Sequence, residues 1–144
     1  MKTKAFLNQL QHDDIVAAIQ EAEGKTSGEI RVFISRAEVE DAVAAAQAQF
    51  RLLGMEQTKQ RNGVLIFVAP LVQKFALVGD EGIHARCGQD FWTAVADQMS
   101  GPFKQAEFTR GIVEGIRKAG EMLAHHFPRR PDDQDELPNR VERD

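Results

Sequence analysis

The sequence contains a single cysteine, so it cannot form an internal disulfide. Proteins without disulfides are typical of reducing compartments, and we therefore expect a cytoplasmic location. Long apolar segments are also missing, because the longest run, GVLIFVAPLV, is much shorter than the roughly 20 residues that cross a bilayer. The first residues, MKTKAFLNQLQHDD, lack the apolar stretch of a signal peptide. From these absences we predict a protein that does not insert into a membrane.

Two further absences exclude classes of function. The chain has no excess of positive charge: 18 lysines and arginines stand against 22 aspartates and glutamates, a net charge of −4. Because a protein that binds nucleic acid needs a basic surface, we do not expect nucleic acid as a partner. Several enzyme signatures are missing as well, namely the P-loop, the G-x-S-x-G elbow, G-x-G-x-x-G after a strand, and H-E-x-x-H.

The hydrophobic pattern that is present predicts an α/β fold. Strands are predicted at residues 29–35, 63–69 and 73–79, within the element order α-β-α-β-β-α-α. A helix between the first two strands makes them parallel through a right-handed crossover. The short connection at Pro70 favours an antiparallel hairpin for the third strand. We predict a three-layer α/β/α sandwich with a small mixed sheet.

One folded domain and a tail are predicted. Residues 1–128 carry the helices and strands, and a chain of this length can bury one hydrophobic core. Residues 129–144 are acidic and contain two of the three prolines that follow Phe127, with little apolar content. This composition is typical of a flexible tail.

Three polar motifs are predicted to meet at one edge of the sheet. KTSGE leads into the first strand, RNG leads into the second, and GDEGIH follows the third. Because an antiparallel strand ends where its parallel neighbours begin, these motifs share an edge. The candidate site residues there are Thr26, Ser27, Glu29, Arg61, Asn62, Asp80, Glu81 and His84. Open α/β sheets usually bind ligands at the opposite edge, but the residues predicted there are Ser35, Arg36, Ala69 and Pro70, a poorer set for chemistry.

The carboxylates at this edge have two interpretations. Glu29, Asp80 and Glu81 offer the hard oxygen ligands that calcium and magnesium prefer, which predicts a divalent-ion site. Alternatively, Glu29 pairs only with Arg31 or Arg61. In that case Asp80 does no more than cap the bend after the third strand.

His84 and Cys87 lie on the same bend. His84 could assist a proton transfer, although histidines in such places are more often hydrogen-bonded structural residues. No arginine follows Cys87 at the spacing of a cysteine-phosphatase loop, so we interpret it as a small buried apolar residue.

Four segments carry a resemblance to a known family. They are EAEGKTSGEIRVFIS, RNGVLIFVAP, FALVGDEGIHARCGQDFW and FTRGIVEGIRKAGEMLAHHFP, and the resemblance covers roughly residues 10–128. On these segments the chain resembles the TPM domain family, known from thylakoid-lumen proteins of photosystem II repair and from many bacterial proteins. The tail, DDQDELP, is similar to the ending of a soluble bacterial subgroup. The resemblance implies an α/β/α sandwich, calcium or magnesium binding, and the acid phosphatase activity reported for some members.

Two functions follow from the residues and the resemblance together. We favour a non-catalytic, accessory binding module that docks a protein partner, with or without an ion. The alternative is a metal-dependent phosphohydrolase, in which Glu29, Asp80 and Glu81 hold the ion. His84 would then assist proton transfer, and Arg61 would steady the phosphate. The chain offers no usual setting for a nucleophile and little positive charge for phosphate, which favours the binding module.

Overall fold

The computed structural model describes residues 2–129 and 140–144. The helices are α1 (Thr3–Gln9), α2 (His12–Glu23), α3 (Ala42–Leu52), α4 (Glu81–Lys104) and α5 (Phe108–His126). The strands are β1 (Glu29–Ile34), β2 (Gly63–Ala69), β3 (Lys74–Gly79) and β4 (Val141–Arg143). The predicted element order is present, with one additional helix at the start and one additional strand at the end. None of the described helices is long and apolar enough to cross a membrane.

The four strands form one mixed sheet in the order β3-β2-β1-β4. β1 and β2 are parallel and in register from the pair Glu29 and Gly63 onwards. β3 is antiparallel to β2, with Gly79 opposite Val64. Both pairings that the sequence predicts are therefore confirmed.

Helices cover both faces of this sheet. On one face, α3 packs over Phe33 and Leu65, while α2, α4 and α5 bury Ile30 and Val32 on the other. Every residue of β1 and β2 is buried. Helices on both sides explain the continuous apolar sequence of β2, whereas β1 also buries the charged residues Glu29 and Arg31. The three-layer sandwich is confirmed.

β4 is the strand that the sequence analysis did not predict. Val141–Arg143 belong to the segment interpreted as a flexible tail, yet they pair in parallel with β1. Arg31, which is buried in β1, forms a hydrogen-bonded ion pair with Glu142. The sequence analysis missed this pairing; residues 130–139 of the same segment lie outside the described residues, and the flexibility of the segment stays a prediction.

The predicted bend after β3 is the start of α4. The Asp80 carboxylate accepts a hydrogen bond from the Glu81 N–H at 2.8 Å and so caps the helix. The helix is interrupted at Gly88, where φ is 68° and ψ is −168°. Only glycine adopts this backbone conformation readily. Gly88 is therefore needed for the break inside the helix.

Candidate functional site

The predicted polar edge is present in the structure. Glu29 begins β1 beside Gly63, the first residue of β2. Asp80 follows directly after β3, and its N–H donates to the Gly63 carbonyl at 3.0 Å. The starts of β1 and β2 and the end of β3 therefore lie together, as their directions predict.

Arg61 and Asp80 form the central contact of this edge. The Arg61 Nε and Nη2 donate to the two carboxylate oxygens of Asp80 at 2.7 and 2.8 Å. Asp80 is buried, whereas 38% of the Arg61 side chain is exposed. The hydrogen bonds to Asp80 are the main reason why the pKa of Arg61 is raised above its ordinary value. Arg61 therefore stays positively charged at this edge of the sheet.

Two more carboxylates contact the same guanidinium. Glu81 Oε1 lies 3.3 Å from Arg61 Nη1, and Glu56 Oε2 lies 3.6 Å from Nη2. Sequence reasoning missed Glu56, because it belongs to a short 3-10 turn (Met55–Gln57) outside the polar motifs. We call Glu56, Arg61, Asp80 and Glu81 the Arg61 cluster. Its three carboxylates exceed its single positive charge, so the cluster is net negative.

Gly82 brings the Arg61 loop against the first turn of α4. Its N–H donates to the Arg61 carbonyl at 2.9 Å. A Cβ at position 82 would lie only 2.4 Å from the Gln60 carbonyl oxygen and 2.6 Å from that of Arg61. Only a residue without a side chain permits this approach, which places Arg61 beside Asp80.

The remaining candidates, just before β1 and β2, form hydrogen bonds that hold this edge together. The Thr26 hydroxyl donates to the Phe127 carbonyl and accepts a hydrogen bond from the Gly28 N–H at 3.0 Å. Asn62 Nδ2 donates to the Ser27 hydroxyl at 3.3 Å. Thr26 and Asn62 are buried. These side chains join the starts of two strands to the end of α5.

His84 and Cys87 lie on the first turns of α4. The His84 ring is exposed and lies 5.5 Å, between centroids, from the ring of Trp92. No described group forms a hydrogen bond with its imidazole. Cys87 is half-buried, and this burial raises the pKa of its thiol, against the opposing effect of Arg86. A thiol with a raised pKa is a weak nucleophile near neutral pH.

The fit of a divalent ion depends on Arg61. The cluster supplies carboxylate oxygens, the ligands that calcium and magnesium prefer, but the guanidinium lies among them. Within residues 2–129 and 140–144, no three acidic, histidine or cysteine side chains are placed to hold a metal. Glu56 and Glu81 are exposed, and their contacts with Arg61 are long. They can therefore move from Arg61 to an ion at little cost in free energy. The predicted ion site at Glu29, Asp80 and Glu81 stays a prediction.

The fold and this polar edge define a small α/β/α domain with its candidate site at the amino ends of the parallel strands. The model of the TPM domain family matches residues 1–122, so the chain belongs to this family. The resemblance that the sequence motifs carry is thereby confirmed.

Solved structures agree with this assignment. The NMR structure of the BA42 protein from the psychrophilic bacterium Bizionia argentinensis has 42% identity and a TM-score of 0.88, and the match covers 94% of this chain and 96% of that one. N-terminal domains of a P. gingivalis protein and of cg2496 from Corynebacterium glutamicum have TM-scores of 0.61 and 0.63. These two matches cover 79% and 81% of this chain and 76% and 75% of the other chains. At 16% identity each, they show the fold alone. No functionally curated protein matches the chain.

Proposed function

We propose that this TPM domain is a non-catalytic binding module, and that its Arg61 cluster takes a divalent cation, calcium or magnesium, where a protein partner docks. The observation that carries the proposal is the convergence of three carboxylates on one partly exposed guanidinium. Their surplus negative charge attracts a further cation. When bound, the ion would offer positive charge to acidic groups of a partner.

The contacts of Asp80 and Arg61 support binding rather than hydrolysis. Arg61 was the candidate for steadying phosphate. Because three carboxylates contact its guanidinium, they repel an incoming phosphate.

His84 gives the phosphatase alternative no further support. A catalytic histidine is usually oriented by a hydrogen bond to its second nitrogen. The described residues supply no such partner for His84, whose ring contacts Trp92 instead. Phosphatase activity therefore rests on the family resemblance alone.

Glu81 is the residue with which to test ion binding. Its side chain is 73% exposed and makes one contact, at 3.3 Å, with Arg61, so we expect Glu81→Gln to leave the fold intact. In a titration with calcium or magnesium, we expect the wild-type amide NMR signals of residues 56, 61 and 81 to shift. Glu81→Gln should weaken the ion affinity severalfold, because it removes one carboxylate ligand from the site.

Glu21→Gln is the matched control for this titration. Glu21 is similarly exposed, at 67%, and also makes one surface ion pair, with Lys25. Its variant should bind the ion as the wild type does. Spectra that are unchanged at millimolar calcium and magnesium would contradict the proposed ion site. Hydrolysis of p-nitrophenyl phosphate by the wild type that is lost in Glu81→Gln would favour the phosphatase.

A further inference from the structure

A second candidate site lies at the other edge of the sheet, where β2 ends. A cavity of about 530 Å³ opens there between the carboxyl end of β2, the start of β3, and helices α1, α4 and α5. Ligands of open α/β sheets usually bind at this edge. The volume falls within the range of small-molecule sites. The cavity and the Arg61 cluster therefore lie at opposite edges of the sheet.

Four phenylalanine rings form a continuous apolar wall in this cavity. Phe75 and Phe103 are in edge contact with their centroids 5.5 Å apart, and Phe103 and Phe108 follow at 5.9 Å. Phe6 continues the row, with its ring centroid 4.8 Å from that of Phe108. Three of the rings are only half-buried, so they leave apolar area uncovered. Their arrangement suits a flexible hydrocarbon chain, which can follow the row of rings.

The charges around the cavity are all positive. Lys74 and Lys104 line it together with neutral residues, and none of the described lining residues is acidic. Lys74 donates to the Glu40 carbonyl at 2.8 Å. Lys104 is exposed at the end of α4. In a chain with a net charge of −4, this concentration of lysine favours an anionic group at the mouth.

Both turns that frame the cavity contain a non-glycine residue in the left-handed region. Gln73 has φ of 54° and precedes β3, and Ala106 has φ of 58° between α4 and α5. Side chains rarely adopt this conformation, and it is enriched at ligand-binding segments. Both residues line the cavity. The two left-handed residues therefore line the same cavity as the phenylalanine rings and the lysines.

We propose that this cavity binds an unbranched medium-chain carboxylate of roughly eight to ten carbons. The hydrocarbon chain lies along the phenylalanine row, and the carboxylate pairs with Lys104 at the mouth. This site is independent of the Arg61 cluster, so its failure would say nothing about ion binding at the opposite edge.

The first test is a titration of the full chain with hexanoate, octanoate, decanoate and decanol, followed by amide NMR. We expect signals of residues 73–75 and 103–106 to shift. Affinity should rise about fourfold for each added methylene until the cavity is filled. Decanol should bind more weakly than decanoate, because it lacks the negative charge. Shifts that map outside the cavity, or equal affinities for decanol and decanoate, would overturn the proposal.

Two variants test separately the positive charge at the mouth of the cavity and the space inside it. Lys104→Gln should weaken decanoate binding about fivefold and leave decanol unaffected. The control is Lys25→Gln, because Lys25 lies at the opposite edge of the sheet, before β1. An unchanged decanoate affinity in Lys104→Gln would contradict the assigned position of the carboxylate.

Ser100→Leu tests the space by placing a larger side chain inside the cavity. Ser100 lines the cavity, and among the described residues its hydroxyl donates only to the Ala96 carbonyl of its own helix. The variant should abolish binding of decanoate and of decanol. Thr93→Leu is the control, because Thr93 makes the same kind of bond on the exposed side of α4. Ser100→Leu that folds and binds decanoate as the wild type does would overturn the proposed site.

Discussion

Replacing Glu142 by alanine is expected to destabilise the domain by about 3–5 kcal/mol, because it leaves a buried charge without its partner. The Arg31 side chain is only 4% exposed, and Glu142 provides its carboxylate. The other hydrogen bond of the Arg31 side chain, to the Leu53 carbonyl, is long at 3.5 Å. The Arg31 Nε has no acceptor among the described residues. Urea denaturation of the two proteins measures the difference in unfolding free energy.

Two companion variants separate the buried charge from a simple loss of contacts. Arg31→Met combined with Glu142→Leu removes both charges and should recover most of the lost stability. Arg36→Ala breaks an ion pair with Asp144 in the same region, but 75% of the Arg36 side chain is exposed. Its cost should stay below about 1 kcal/mol. If Glu142→Ala proves as mild as Arg36→Ala, the Arg31 pair does not hold β4 on the sheet.

Gly82→Ala is the second substitution with a large expected effect. The new Cβ would meet the carbonyl oxygens of Gln60 and Arg61 at 2.4 and 2.6 Å. These are backbone atoms, so relief requires the Arg61 loop to move away from α4. We expect a loss of about 1–3 kcal/mol in unfolding free energy, the range for overpacked sites. Thermal unfolding followed by circular dichroism measures this loss.

The same substitution elsewhere in α4 provides the control. A Cβ at Gly101 meets no atom within 4 Å apart from its chain neighbours and the nearby helix backbone. Because Pro102 follows and restricts a residue that has a Cβ, the helix propensity gained by Gly101→Ala is offset, and its change in unfolding free energy should stay below about 1 kcal/mol. A much larger loss at position 82 than at position 101 would attribute that loss to the clash. Since the loop positions Arg61, Gly82→Ala should also alter the amide signals of the Arg61 cluster. An unchanged melting temperature would show that the loop accommodates the methyl group.

The fold was predictable where apolar residues set the pattern. Continuous apolarity predicts that helices cover β2 on both faces, alternation predicts one apolar face for β1, and the connection at Pro70 predicts the hairpin. Strand direction then places Asp80 beside the RNG loop without knowledge of any side-chain contact. The capping role of Asp80 was among the predicted alternatives, and the structure supplies the helix that it caps.

The remaining features depend on contacts between distant parts of the chain. β4 has three residues and no periodic pattern, and its partner Arg31 is a charged residue that the alternation suggests is exposed. Glu56 reaches Arg61 only because the intervening loop folds back. The cavity combines rings from Phe6 to Phe108, so helix packing rather than local sequence creates it.

The parallel pairing of β4 has a consequence for self-association. Without it, β1 would present unpaired N–H and C=O groups along an apolar strand, which is a template for intermolecular pairing. β4 occupies this edge with a short segment that carries Glu142 and Arg143. Short, charged border strands discourage further strand addition. The last residues of the chain therefore protect the sheet against edge-to-edge aggregation as well as extending it.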